Sequence, residues 1–231
     1  MSRLLKIKAA QLARSEKTGI NPYAAAQEAA TVAIPVAKPG TLAHYQAAMQ
    51  ADIASLKGLK TVAEKIAAKE KMLEAYIPFV EDYLKQGHDY PNDVAVQAMI
   101  WLLDVGNVEM GLNLALTLIK HGHQQMPERF DRRDIETFLC DAMYDWANAL
   151  LKKQQSVSPY LDTLAATMTA DRWDVHPAVA SKVYAMLAKH KVRESDYKAV
   201  VALCDLAEQI NPDGAGVKTL RKAATSKLET P

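Results

Sequence analysis

Five basic side chains near the start of the chain have the types and spacing that bind phosphate groups. Residues 1–20 carry them against a single carboxylate, that of Glu16. The five are Arg3, Lys6, Lys8, Arg14 and Lys17. On a helix turning about 100° per residue, all but Lys8 lie within about 80° of one another. Such a face contacts nucleic-acid phosphates, although a solvated face of an amphipathic surface helix has the same pattern.

A second basic cluster precedes a group of carboxylates in the middle of the chain. The cluster is Arg129, Arg132 and Arg133, and the acids are Asp131, Asp134, Glu136, Asp141 and Asp145. Three of the acids share one face of a predicted helix, and a nuclease needs two or three acids that converge on Mg²⁺. A solvated face with acids near a helix N-terminus explains them better, so no catalytic residue is assigned. The arginines either pair with these acids or bind phosphate.

Other site chemistry is absent from the sequence. Neither a Gly-x-x-x-x-Gly-Lys-Ser/Thr loop nor Gly-x-Gly-x-x-Gly occurs, so we expect no nucleotide cofactor and no ATP hydrolysis by this chain itself. His121 and His123 are two residues apart and would lie on different helix faces, which argues against a metal site. Cys140 and Cys204 each sit in an apolar run, which predicts buried free thiols.

The elements that would position these residues are predicted to be helices throughout. Apolar residues recur at steps of three and four, and strand-like runs are nearly missing, which predicts an all-α fold. Residues 41–86 predict a long helical segment with Thr41 as N-cap, a break at Gly58 and a kink near Pro78. The apolar seam along this segment fits two interpretations, an internal helical pair or a coiled-coil-like oligomerisation surface. Helical hairpins follow, and the helices at 177–191 and 196–210 form a tetratricopeptide-like pair.

The predicted organisation has four parts. Residues 1–17 form a basic N-terminal helix for DNA contact, and 18–40 form a linker interrupted by Gly and Pro. Residues 41–90 form the helical oligomerisation segment, and 91–231 form a helical-repeat-like core. Neither a signal peptide nor a run of about 18 apolar residues is present, so we expect no membrane association and a cytoplasmic protein.

The segment from Trp101 to Met143 resembles the small subunits of DNA-packaging terminases from temperate contractile-tailed bacteriophages, the type often labelled the endonuclease subunit. The shared pattern is a Trp-x-Leu-Asp-x-Gly turn, a second helix, a Met-Pro, a basic stretch and a helix near Phe. It is carried by Trp101, Leu103, Asp104, Gly106, Met126, Pro127, Arg132, Arg133 and Phe138. Upstream, the stretch from Leu56 to Leu84 resembles the family's basic helix and the apolar, proline-containing helix after it. The resemblance covers about residues 41–228.

The resemblance implies a function. Such a subunit recognises the cohesive-end site of double-stranded phage DNA and oligomerises, usually as a ring. It then delivers the DNA to a large subunit that carries the ATPase, in the cytoplasm of the infected bacterium. Some relatives end in a Lys/Arg-rich tail that this chain lacks, which shifts DNA contact to the N-terminal helix or to residues 129–133.

Two other functions are open from the sequence. The first is that of a helical-repeat adaptor that binds peptides, and the second is that of a metal-dependent endonuclease in its own right. Peptide binding without DNA binding would favour the adaptor. Mg²⁺-dependent cutting by the isolated chain would favour the nuclease.

Overall fold

The computed structural model describes residues 38–88, 90–122, 124–131 and 134–229, and in them only helices, turns and bends occur. The helices are α1 (Leu42–Leu56), α2 (Val62–Lys85), α3 (Asp93–Asp104), α4 (Val108–His121), α5 (Ile135–Lys152), α6 (Tyr160–Ala170), α7 (Pro177–Arg193), α8 (Tyr197–Ile210) and α9 (Lys218–Glu229). The all-α prediction is confirmed for this part of the chain. Among these helices, none combines the length and the apolar character needed to cross a lipid bilayer.

Residues 45–231 form one compact unit, and residues 1–44 are assigned to another. Of the latter, only residues 38–44 are described. They form a turn and the start of α1, where the Thr41 Oγ1 accepts a hydrogen bond from the His44 N–H at 3.3 Å. The predicted N-cap is therefore confirmed. The predicted basic helix at 1–17 and nearly all of the predicted linker at 18–40 lie outside the described residues.

The break predicted at Gly58 separates α1 from α2. Thr61 and Glu64 form a capping box at the start of α2: the Glu64 N–H donates to the Thr61 Oγ1 at 3.1 Å, and the Thr61 N–H donates to the Glu64 Oε2 at 2.8 Å. Hydrogen bonds that the Glu64 carboxylate accepts from Thr61 and from the Lys60 N–H lower the pKa of Glu64. Helix α2 continues through Pro78 to Lys85. The coiled-coil-like seam along 41–86 stays a prediction.

The core of the N-terminal half lies where α2, α3 and α4 pack together. Trp101 on α3 is 2% exposed, and its ring lies 6.0 Å from that of Tyr76 on α2 in an edge-to-face arrangement. The Tyr76 hydroxyl donates to the Asp52 carboxylate at 2.6 Å, which ties α2 to α1. A β-carbon at Gly111 would lie 2.8 Å from the Leu103 side chain, so glycine lets α4 approach α3.

The C-terminal half is built around α7, which packs against α5, α6 and α8, and α9 packs on α8. Helices α7 and α8 occupy the positions predicted for the tetratricopeptide-like pair, and their repeat-like geometry stays a prediction. Both cysteines are buried and free, as predicted. The His190 ring is 2% exposed, and its Nε2 lies 3.0 Å from the Ala147 carbonyl oxygen, which links α7 to α5.

Two helix starts differ from the sequence prediction. Serine is a good N-cap residue, so the sequence predicts Ser195 as the cap of α8, but the Asp196 side chain accepts the hydrogen bond from the Ala199 N–H, at 3.1 Å. Ser195 instead has a φ of 59° in the turn before the helix. Proline suits the first helical position, so the sequence predicts Pro91 there, but Asn92 is the N-cap of α3. In both cases the neighbouring Asx side chain accepts a backbone N–H, as Asn and Asp do well at this position.

Candidate nucleic-acid interface

A basic cleft lies between the end of α1, the first half of α2, the end of α3 and the loop that holds Arg129. Its volume is about 330 Å³. It is lined by Ile53, Leu56, Lys57, Lys65, Lys69, Ile100, Trp101, Asp104, Arg129, Phe130 and Phe138. Four of these side chains are cations and one is a carboxylate, so the cleft favours an anionic ligand.

The lysines reach the cleft from two elements. Lys57 follows the last residue of α1, and Lys65 and Lys69 are one turn apart on α2, so their side chains lie on the same side of that helix. The Lys69 Nζ forms an ion pair with the Asp104 Oδ2 at 2.6 Å. Within the described part of the chain, neither Lys57 nor Lys65 forms an ion pair. Both therefore carry charge that a phosphate could neutralise.

Arg129 is held against the wall of the cleft. Its Nη2 donates a hydrogen bond to the Gln97 Oε1 at 2.7 Å, and its guanidinium carbon lies 4.9 Å from the centre of the Phe130 ring. Burial of the guanidinium lowers the pKa of Arg129, an effect that the nearby Asp104 carboxylate opposes. The side chain is thus oriented by Gln97 and Phe130, and part of its surface remains exposed to solvent.

Aromatic rings form the floor next to these cations. The rings of Phe130 and Phe138 meet edge to face, with centres 5.4 Å apart. Both are half-buried, and Trp101, which also lines the cleft, is almost fully buried. An apolar floor beside several cations is suited to the backbone of a nucleic acid, because the cations can contact phosphates while the sugars pack on the apolar surface.

The structure brings together only part of the predicted DNA-contacting set. Arg129 lies in the cleft. Arg3, Lys6, Lys8, Arg14, Lys17, Arg132 and Arg133 lie outside the described residues. The sequence reasoning did not single out Lys57, Lys65 and Lys69 as contact residues. The signal was present in the basic helix of the upstream segment, where two of these lysines stand four residues apart.

The carboxylates in the middle of the chain cap a helix or face solvent, and within the described part of the chain they do not form a catalytic cluster. The Asp134 Oδ1 accepts a hydrogen bond from the Thr137 N–H at 2.7 Å, which makes Asp134 the N-cap of α5. Asp141 and Asp145 lie on the exposed side of α5. In the described ranges, no group of three or more His, Cys, Asp or Glu side chains is placed to hold a metal ion.

The two thiols are unsuited to act as nucleophiles. Burial, together with the nearby carboxylates, raises the pKa of Cys140 to about 12 and that of Cys204 to about 11. Both therefore remain protonated at neutral pH, whereas the reactive form of cysteine is the thiolate.

Comparison with known proteins identifies the family. The chain is similar to a probable terminase endonuclease subunit of Haemophilus phage HP1, at 28% identity over 195 residues, which cover 78% of this chain and 68% of that protein. It is also similar to the terminase endonuclease subunit of Escherichia phage P2, at 27% identity over 136 residues, which cover 58% of this chain and 55% of that protein. No solved structure matches. The phage small terminase subunit model matches residues 46–178, which include the whole of the basic cleft. The chain therefore belongs to the phage small terminase subunit family.

Proposed function

We propose that this chain is the DNA-recognising subunit of a phage packaging terminase. It binds the cohesive-end site of double-stranded viral DNA, forms a homo-oligomer, and hands the DNA to a large ATPase subunit in the cytoplasm of the infected bacterium. Membership of the small terminase subunit family supports a role in phage DNA packaging. The observation that supports DNA contact by the described part is the cleft with four cations and one carboxylate.

Two surfaces share the DNA contact in this proposal. The first is the basic face of residues 1–17. The second is the cleft of Lys57, Lys65, Lys69 and Arg129. Lys57, Lys65 and Lys69 lie on or beside described helices, and phosphate contacts of this kind set the register and orientation of a protein on the duplex. We assign the orienting role to the cleft.

Replacing Lys57, Lys65 and Lys69 together with glutamine is expected to weaken DNA binding. Each phosphate contact contributes roughly 0.9 to the slope of log affinity against log salt, so the slope should fall by up to about 2.7 units. The measurement is fluorescence anisotropy with phage end-site DNA across a salt series. The matched control replaces Lys153, Lys182 and Lys189, which are exposed on α7 and just after α5. Equal slopes for the cleft variant and the unmodified protein would contradict the assignment.

We expect the protein to be a multimer, because the small terminase subunits that it resembles usually assemble as rings. Light scattering at micromolar concentration should give a mass several times the 25.4 kDa of one chain. A monomer mass across several salt concentrations would contradict this expectation.

The two related phage proteins are named endonuclease subunits, which supports a second candidate function for this chain. We expect the cutting residues to belong to the large partner, since Asp134 serves as a helix cap and no nuclease motif is identifiable in the sequence. Incubation of the purified chain with end-site DNA and Mg²⁺ tests this directly. Cutting that persists through further purification and is abolished by Asp141→Asn or Asp145→Asn would establish the nuclease instead.

A further inference from the structure

A second groove lies on another side of α2, away from the basic cleft. It is formed by the middle of α2, the end of α3 and the start of α4, and its volume is about 670 Å³. That volume lies in the range of about 300–1,000 Å³ typical of ligand-binding clefts. The groove is shallow and open to solvent, so it suits a surface segment of a partner better than an enclosed small molecule.

The floor of the groove is apolar. Leu73 and Leu102 are buried beneath it, and Ile77 and Val105 are half-buried along it. Met110 stands at its edge and is 37% exposed, which makes it one of the few large hydrophobic side chains that the described surface leaves open. An apolar floor framed by a few polar groups is the usual make-up of a binding cleft.

The rim of the groove is acidic. Glu70 and Glu74 are exposed and stand one turn apart on α2. Like charges at this spacing repel each other, and within the described residues no cation forms an ion pair with either. A cation placed between them would relieve the repulsion. The rim therefore favours a positively charged partner and disfavours nucleic acid.

Pro78 leaves one backbone carbonyl of α2 without its usual helical donor. Pro78 lies inside α2 and has no N–H, so the Glu74 carbonyl lacks the donor that a helix normally supplies four residues later. Glu74 and Pro78 both line the groove.

We propose that this groove binds a basic amphipathic helical segment of another protein. The apolar face of the segment packs on Ile77, Val105 and Met110, and its flanking cations pair with Glu70 and Glu74. This is recognition of an amphipathic helix in a hydrophobic groove, with charge complementarity selecting the partner. The inference does not depend on DNA binding, because the groove and the basic cleft use different residues of α2.

The test uses a labelled synthetic helix and the full-length protein. The probe is a peptide of leucine, lysine and alanine with leucines at i, i+3, i+4 and i+7 and lysines beside that face, and its binding is followed by fluorescence anisotropy. Met110→Lys should weaken binding on the order of 10-fold, because it places a cation in an apolar contact. The double variant Glu70→Gln, Glu74→Gln should weaken it roughly 2- to 20-fold, as expected for two exposed ion pairs.

The matched control is the double variant Asp141→Asn, Asp145→Asn. These acids have the same four-residue spacing and are exposed on α5, but they do not line this groove. The control should leave affinity unchanged, and DNA binding should be unaffected by either groove variant. Equal weakening by the control, or no change with Met110→Lys in protein that keeps its helical circular dichroism, would overturn the proposal. A loss of oligomer mass with unchanged peptide affinity would assign the groove to a second copy of this chain and would also overturn it.

Discussion

Removal of residues 1–17 is expected to weaken binding to double-stranded DNA and to flatten its salt dependence. Four cations of this segment fall within about 80° on a helix. If all four contact phosphate, the slope of log affinity against log salt should fall by up to about 4 units, at roughly 0.9 for each contact. The measurement is anisotropy with phage end-site DNA at no fewer than four salt concentrations. The compact unit at 45–231 should keep its helical circular dichroism, since the deletion removes none of it.

The arginines at positions 129, 132 and 133 are the alternative DNA-contacting residues, so a variant of them is compared with the deletion. The comparison variant replaces Arg129, Arg132 and Arg133 with glutamine. Arg129 donates a hydrogen bond to Gln97, so its replacement also removes a contact within the fold, and thermal unfolding must be measured beside the binding. Unchanged affinity and slope after the deletion, combined with loss of binding in the arginine variant, would move the DNA-contacting element to residues 129–133. Partial loss of DNA affinity in both variants would support shared contact by residues 1–17 and the basic cleft.

Trp101→Ala is expected to lower the free energy of unfolding by about 3–5 kcal/mol, the usual cost of truncating a large buried aromatic side chain. Trp101 is 2% exposed, packs edge to face on Tyr76, and lines the basic cleft. A loss of this size is a large part of the about 5–15 kcal/mol that stabilises a typical domain. Urea denaturation followed by circular dichroism measures it, with the midpoint falling at an unchanged slope.

Trp146→Ala is the control for this substitution. Trp146 is half-buried on α5 and meets the ring of Tyr160 with centres 6.2 Å apart, so its removal empties less enclosed space. We expect a smaller loss of stability than for Trp101. An equal loss at both positions would show that the core of α2, α3 and α4 is less tightly packed than its burial indicates.

The sequence by itself determined the helices and most of their ends. The steps of three and four between apolar residues, and the cap at Thr41, are local features, because helix hydrogen bonds join residues only four apart. The burial of both thiols followed from the apolar runs around them. The errors at Pro91 and Ser195 were also local: a neighbouring Asn or Asp capped the helix instead. Family membership rested on the order and spacing of residues from Trp101 to Phe138, which a sequence displays directly.

Only the tertiary structure decided which side chains meet. Lys57, Lys69 and Arg129 are far apart in sequence, and they share a cleft because α1, α2 and the loop after α4 pack around Trp101. The same packing leaves Glu70 and Glu74 on another side of α2, beside an apolar groove. Helical periodicity predicts the face on which a residue lies, but the neighbour of that face is set by contacts between distant segments. Those contacts depend on how large side chains interdigitate, and the spacing of residues along a single helix does not contain that information.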